Sequence, residues 1–254
     1  MMRRPAGLRH RQVTRMNVPV HQIMFSSDRD ALPPPAAGEI RSRAGGDPYR
    51  IWFLDDARAL IGDVYGPEVL SAFDLLRPFA YKADLARYCI VNHLGGIYID
   101  LSVTDFLGFD VGDHEFVGFR DPNNDGTSWK VATHMFYSAK DSPILQASIA
   151  ECVANVRRRF YGKDAHFPTG PSVLGRAVAT GSLETRVQLG DYWWLKRRRN
   201  KYTLPGQGVI ARGKVGGRYL GGVSGVPGGN NYNAMWRERT IYGSDDLSGG
   251  GPCA

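Results

Sequence analysis

The stretch from Tyr81 to Ser102 limits the choice of fold most. Tyr81-Lys82-Ala83-Asp84-Leu85-Ala86-Arg87-Tyr88 belongs to a mostly apolar helix expected from about Pro78 to Leu94, and Gly95-Gly96 stops it. Ile97 to Val103 then reads as an apolar strand, with a carboxylate, Asp100, near its exit. Asp84 and Arg87 lie three residues apart and form one narrow charged stripe on an otherwise apolar helix. A helix of that kind must be covered on nearly every side. Its direct passage into a buried strand favours a sheet with helices packed across it.

The flanking segments extend the pattern. Val18 to Phe25 reads as a strand, Ser26 to Asp47 as a polar, Pro-rich loop, and Tyr49 to Leu54 as a second strand. Asp55-Asp56 offers N-cap chemistry for a helix over Ala57–Tyr65. Gly66 stops that helix and Pro67 opens another to about Leu76. The order β, β, α, α, α, β predicts an α/β domain. Further on, Glu115–Arg120 and Ala132–Tyr137 read as strands, and Ser142–Phe160 and Val173–Thr180 as helices. Ten glycines within residues 205–229 suggest loops with the character of a flap. The expected organisation is a basic arm over 1–16, a single domain over 17–243, and a flexible tail over 244–254.

Charge excludes one class of function. The formal net charge is +7, but five arginines (Arg3, Arg4, Arg9, Arg11, Arg15) lie in the first fifteen residues with no acid, and setting them aside leaves +2. The body of the chain is near neutral. With no recognised nucleic-acid motif and only short basic runs at Arg157–Arg159 and Lys196–Lys201, no nucleic-acid partner is expected. The second run reads as a solvated face, its functional alternative being an anionic acceptor or peripheral contact with a membrane surface. The uncharged run Tyr88–Ile99 is 12 residues long and includes Asn92, His93 and two glycines, too short and polar to span a bilayer. Cys89, Cys152 and Cys253 are far apart, which fits neither a disulfide framework nor a zinc knuckle and points to a reducing cytoplasm.

In open α/β sheets ligands gather outside the carboxyl ends of strands. A lone carboxylate there, as at Asp100, is well placed to hold a divalent cation against a diphosphate. Plainer readings stand beside this one. Asp84–Arg87 alone is a helix pair worth about 0.2–0.5 kcal/mol, and Asp100 alone is a turn cap. His21 and His93 read as satisfied core or cap residues. Tyr192-Trp193-Trp194 reads equally as core or as an acceptor-side wall.

The combination Lys82-Ala83-Asp84-x-x-Arg87-Tyr88 followed by Gly95-Gly96-Ile97-Tyr98-Ile99-Asp100 resembles glycosyltransferase family 32, the group with a DxD-containing sugar-binding region that includes mannosyltransferases and capsular polysaccharide transferases. Val18 to Ile23, Tyr49 to Asp56, the Phe167-Pro168-Thr169-Gly170-Pro171 turn and Asn231-Tyr232-Asn233-Ala234-Met235-Trp236 are similar to flanking segments of that family. The resemblance implies a GT-A-type, Rossmann-like mixed sheet flanked by helices. It further implies a UDP- or GDP-hexose donor, Mn²⁺ or Mg²⁺, a glycan, lipid-linked or protein acceptor, and retention at the anomeric carbon.

Carried over by position, Asp84 and Arg87 bind the donor sugar's hydroxyls and Tyr98 lies beside the diphosphate. Asp100 binds the metal, and together with Asp84 and Arg87 makes up the catalytic set. The Ala83 backbone borders the nucleotide base, and Asn231 and Trp236 close over the diphosphate. Two positions depart from the pattern. The second carboxylate of the DxD is Ser102, a weaker, neutral ligand for a hard dication. Either Asp100, the diphosphate and a group such as Asn231 hold the metal, with Ser102 as a neutral ligand, or metal affinity is low, or activity is lost and the chain binds donor without turnover. Asp105 is a nearby spare carboxylate of lower rank. Met24 stands where many relatives carry a base-stacking Trp, with Trp52 as the alternative ring.

Overall fold

The structure, a computed structural model, describes residues 18–28, 30–43, 48–121, 129–181, 185–195, 198–215 and 230–244. Its elements run β1 (Val20–Ile23), α1 (Pro35–Arg43), β2 (Tyr49–Trp52), α2 (Leu54–Leu75), α3 (Phe79–Leu94), β3 (Gly96–Ile99), β4 (Val103–Phe106), β5 (Phe116–Arg120), β6 (Met135–Ser138), α4 (Pro143–Arg157), α5 (Pro171–Gly181), β7 (Val187–Trp193), β8 (Arg199–Leu204), β9 (Gly208–Val215) and α6 (Tyr232–Arg237). One nine-stranded mixed sheet has the order β2-β1-β3-β6-β5-β7-β8-β9-β4. The expected α/β class, with a mixed sheet flanked by helices, is what the chain adopts.

Side chains alternate across β3 as a two-residue period requires. Tyr98 packs into the core beneath α2, α3, α4 and α5, while Ile97 and Ile99 join a second core with Val103, Phe106, Tyr202 and Ile40 of α1. Helix α3 is buried from Asp84 through Asn92, so the charged stripe of Asp84 and Arg87 lies inside the protein.

The two glycines after α3 have separate tasks. Gly95 takes φ 68° and its N–H bonds Val91 O at 2.8 Å, ending the helix. Gly96 takes φ 106°, and a Cβ there would lie 2.3 Å from Pro19 O, so only glycine lets β3 approach β1 this closely. His21 secures the junction from β1. Its Nε2 lies 3.0 Å from Gly95 O, and its Nδ1 lies 3.3 Å from the Trp52 indole N–H that donates to it. The expectation of a satisfied core histidine is met here. Lys82 is likewise structural, donating to the carbonyls of Phe73 and Asp74 at the end of α2.

Several expectations are corrected. The loop expected over 26–47 contains α1, whose Ala37 and Ile40 are buried, so a short apolar pair outweighs the polar composition around it. The segment 205–229 contains β9, paired on both edges with β8 and β4, because cross-strand pairing overrides glycine's weak strand preference. The strand expected through Val103 breaks at Asp100 and resumes as β4. Asp55-Asp56 does not provide the N-cap of α2. Phe53 holds that position, with its N–H donating to Asp56 Oδ2 at 3.2 Å. The expected break at Gly66-Pro67 is present, by contrast: Gly66 is non-helical at φ 77° and kinks α2 between its two helical runs. The arm over 1–16, residues 216–229 and the tail beyond 244 lie outside the described residues.

Burial lowers the His21 pKa to about 4, opposed by the Gly95 carbonyl. An unfolded histidine protonates near 6.5, so the unfolded chain gains a proton first on acidification. The stability this neutral ring confers is present above about pH 6.5 and is lost as pH falls towards 4, by on the order of 3 kcal/mol. Urea unfolding at pH 7 and pH 4.5 should show a steeper loss for the wild type than for His21→Gln. Equal slopes would contradict this.

Candidate active site

Five strands run in one direction: β1 is parallel to β2 and β3, β3 and β5 are both antiparallel to β6, and β5 is parallel to β7. The residue following each one reaches the same edge. Phe53 follows β2, Met24 follows β1, Asp100 follows β3, Asp121 follows β5 and Trp194 follows β7, while His134 precedes the oppositely directed β6. All six line one of two cavities at that edge. The first, of about 370 Å³, contains Asp84, Arg87, Asp100, Ser102, Asp121, His134 and Trp194. The second, of about 630 Å³, contains Met24, Ser26, Asp28, Phe53 and Asp55. Phe79 borders the second and its neighbour Ala80 the first. The edge is the carboxyl-end crevice where α/β sheets bind ligands.

Arg87 organises the first cavity. Its Nε donates to Ala83 O at 2.9 Å and its Nη1 to Thr133 O at 2.8 Å, while Nη2 lies 3.5 Å from Asp84 Oδ1. The guanidinium sits 4.5 Å above the Tyr98 ring. Burial alone would lower its pKa, but Tyr98, Asp84 and Asp100 outweigh that and hold it charged. Asp100 profits in return. Burial pushes its pKa up, yet Arg87 and both the backbone and the side chain of Ser102 carry it below the usual carboxylate range. Asp84 is the opposite case. Burial raises its pKa despite Arg87, Thr169 and Thr133, and Thr169 Oγ1 donates to its Oδ2 at 2.9 Å.

The turn after β3 explains how Asp100 is presented. Its N–H donates to His134 O at 2.8 Å, and its Oδ1 accepts from Ser102 N–H at 2.8 Å. Asp100 therefore does cap its own turn, as the plainer reading had it, and it also lines the cavity. Ser102 is folded back towards Asp100. The Tyr98 hydroxyl is buried near this carboxylate with no partner at hydrogen-bonding geometry.

Of the residues singled out in the sequence, Asp84, Arg87, Asp100 and Ser102 meet in the cavity. Others do not. Tyr98 is buried beneath Arg87, and the Ala83 carbonyl is taken by Arg87 Nε. Asn231 is exposed and caps α6, accepting from Ala234 N–H at 3.1 Å. The Trp236 indole donates to Tyr161 O at 2.8 Å, packing against the protein. Trp52 is buried against His21 and lines neither cavity. Asp105 lies on β4, held by Arg212 at 2.9 Å and Arg43 at 3.6 Å.

Three further groups at the site stand outside the central motif residues. Asp121 obeys the same strand-exit rule that selected Asp100, so the signal was there. Thr169 appeared only as part of a turn motif, without its bond to Asp84. Lys130, Asp164 and His166 form a polar cluster beside the cavity, with Lys130 Nζ 2.8 Å from Asp164 Oδ2, and no local spacing announces it. Burial and Lys130 lower the His166 pKa and favour its neutral form.

The donor set can be tested against a divalent ion. Among the described residues no group of three His, Cys, Asp or Glu side chains is placed to hold a metal. A cation caged by protein alone does not fit. The charged side chains lining the cavity are three carboxylates (Asp84, Asp100, Asp121) and one guanidinium (Arg87), a net negative surface. An incoming diphosphate would be repelled unless a cation came with it. Magnesium-type ions commonly rest on one or two carboxylates plus substrate phosphates, and Asp100 with the Ser102 hydroxyl fits that mode.

Replacing Arg87 with Met should cost about 3–5 kcal/mol, because it strands buried carboxylates without their counter-charge. Lys should not restore the loss, since a point charge cannot reproduce three directed contacts. Urea denaturation of the two variants measures this, and a loss below about 1 kcal/mol would contradict the account.

Comparison with known proteins places these residues in a family context. Residues 15–106 match the family model described as the glycosyltransferase sugar-binding region containing DXD motif. An uncharacterized glycosyltransferase of Acanthamoeba polyphaga mimivirus is 38% identical over 63 residues, which are 22% of this chain and 25% of that protein. The chain thus aligns with only a quarter of that relative's length. The solved structure of PaToxG glycosyltransferase superposes with a TM-score of 0.47 and 13% identity, over 65% of this chain and 68% of its own. Asp84, Arg87, Asp100 and Ser102 all fall inside the residues that match this family model.

Proposed function

We propose that the chain is a retaining glycosyltransferase of family 32 that moves a hexose from a nucleotide sugar to an acceptor hydroxyl. The observation that carries this reading is the convergence of Asp84, Arg87 and an ionised Asp100 in one cavity within the family match. The second cavity suits the nucleoside. Phe53 is 45% exposed there and offers a ring face where Met24 does not, and the carboxylates of Asp28 and Asp55 are acceptors for ribose hydroxyls or base N–H groups. The diphosphate then falls beside Asp100 and the hexose against the cavity face of the Asp84–Arg87 pair.

In the reaction the bond from the anomeric carbon to the phosphate oxygen breaks, and a bond to the acceptor oxygen forms on the same face. The acceptor's proton leaves with the diphosphate. Asp84 and Arg87 fix the hexose by its hydroxyls and so set the reacting geometry. Thr169 and Thr133 keep Asp84 in place, and the Tyr98 ring supports Arg87 from below. Asp100, with Ser102, would hold Mn²⁺ or Mg²⁺, which when bound offsets the growing charge of the leaving diphosphate. A second reading, donor binding without turnover, is favoured by the single carboxylate in the Asp100-Leu101-Ser102 turn.

A panel of UDP- and GDP-hexoses with Mn²⁺ separates the two. Release of nucleoside diphosphate from at least one donor is expected, falling about 100-fold or more with EDTA and in Asp100→Ala. Release insensitive to both would overturn the site. Donor binding without release would establish the second reading.

A further inference from the structure

We propose that Trp194 is the platform for a carbohydrate acceptor, stacking on the face of a pyranose ring at the far end of the first cavity. The inference rests on the proposed donor site and extends it to the acceptor.

The order of residues along the sheet edge is the first argument. Following the strand order, the edge presents Phe53, Met24, Asp100, His134, Asp121 and Trp194 in turn. With the nucleoside at Phe53 and Met24 and the diphosphate at Asp100, the donor occupies the edge up to its middle. An acceptor must approach the anomeric carbon from the part that remains, and Trp194 stands there.

The second argument is the contrast within Tyr192-Trp193-Trp194. Tyr192 is buried, and its hydroxyl accepts from Asn200 Nδ2 at 2.7 Å. Trp193 is half-buried, its indole donating to Thr203 Oγ1 at 3.1 Å. Trp194 is 45% exposed and lines the cavity. The equal choice between core and acceptor wall is thus resolved residue by residue, with Trp194 alone of the three turned out as an open aromatic surface.

Rigidity is the third. Asn200 holds Tyr192 through its amide nitrogen, and its Oδ1 accepts from Leu195 N–H at 3.0 Å, so one buried side chain ties down the chain on both sides of Trp194. A large apolar ring held on a fixed corner binds with little loss of conformational freedom.

The chemistry selects the ligand class. An indole face is electron-rich and attracts the polarised C–H groups on the flat side of a pyranose. The hydroxyls around the sugar's rim then meet polar neighbours, here the part-exposed Asp121 and His134 in the same cavity. Apolar area with a few convergent polar groups is the usual make-up of a small-ligand site.

The test uses the full chain and methyl α- and β-pyranosides of glucose, galactose and mannose as probes. Binding is followed by saturation-transfer NMR, with and without UDP or GDP and Mn²⁺. At least one pyranoside should bind, about tenfold more weakly to Trp194→Ala and within about threefold of wild type to Trp194→Phe. Where donor turnover is seen, Trp194→Ala should also lower the ratio of sugar transferred to the pyranoside over sugar lost to water, through acceptor KM rather than kcat. Absence of pyranoside binding in every condition, or equal binding by Trp194→Ala, would overturn the proposal. So would Trp194-dependent transfer to a Ser, Thr or Tyr peptide with none to the pyranosides. Failure of donor hydrolysis with Trp194-dependent pyranoside binding intact would count against the donor reading alone.

Discussion

A single buried guanidinium holds the site together. Arg87 spends its donors on Ala83 and Thr133 carbonyls and lies against Asp84, with its flat face over Tyr98. From there it acts on two carboxylates that burial treats alike. Asp100, with Ser102 as a second source of support, is kept ionised, while Asp84 remains above its usual range. Two acids at one cavity with opposite displacements are suited to different work, one to counter a cation and the other to exchange hydrogen bonds with neutral hydroxyls. The plain helix pair suggested by their spacing would be worth little at a surface. Buried, it becomes a constraint on everything around it.

The rest of the fold serves to deliver groups to one edge. Five strands point the same way, and the residue after each reaches the cavities, so the chemistry is distributed by topology rather than by local sequence. The edge has a direction: an exposed aromatic at each end, Phe53 and Trp194, and carboxylates with His134 between them. Such an arrangement suits an extended, two-part ligand whose middle carries charge. On the proposed reading, the negative lining would favour a cation at Asp100 and Ser102, and a diphosphate would supply the further oxygens that such an ion needs.

Much of this was legible in the chain itself. The buried helix, its glycine stop and the strand ending near Asp100 follow from apolar periodicity and turn chemistry, which are local. So does the kink at Gly66-Pro67. What stayed hidden depends on partners distant in sequence. β9 is a strand because β8 and β4 flank it, whatever its glycines suggest. Thr169 matters because it lies against Asp84, 85 residues away. Asn231 and Trp236 show another side of this: motif likeness sets them near the diphosphate, and the contacts that they make here, a cap on α6 and a bond to Tyr161 O, follow from the fold and not from the motif. Asp121 could have been found by applying the strand-exit rule to every strand. The equivalence of Trp193 and Trp194 in sequence was broken only by the pleat of β7 and the hold of Asn200.

The central claim is that Asp100 and a diphosphate jointly bind a divalent ion, neither sufficing alone. Calorimetric titration of Mn²⁺ into the protein, with and without a saturating nucleoside diphosphate, measures this directly. The account predicts Mn²⁺ affinity at least about tenfold higher with the diphosphate present, and loss of that gain in Asp100→Asn. Tight diphosphate binding without any metal, or Mn²⁺ binding indifferent to Asp100→Asn, would contradict it.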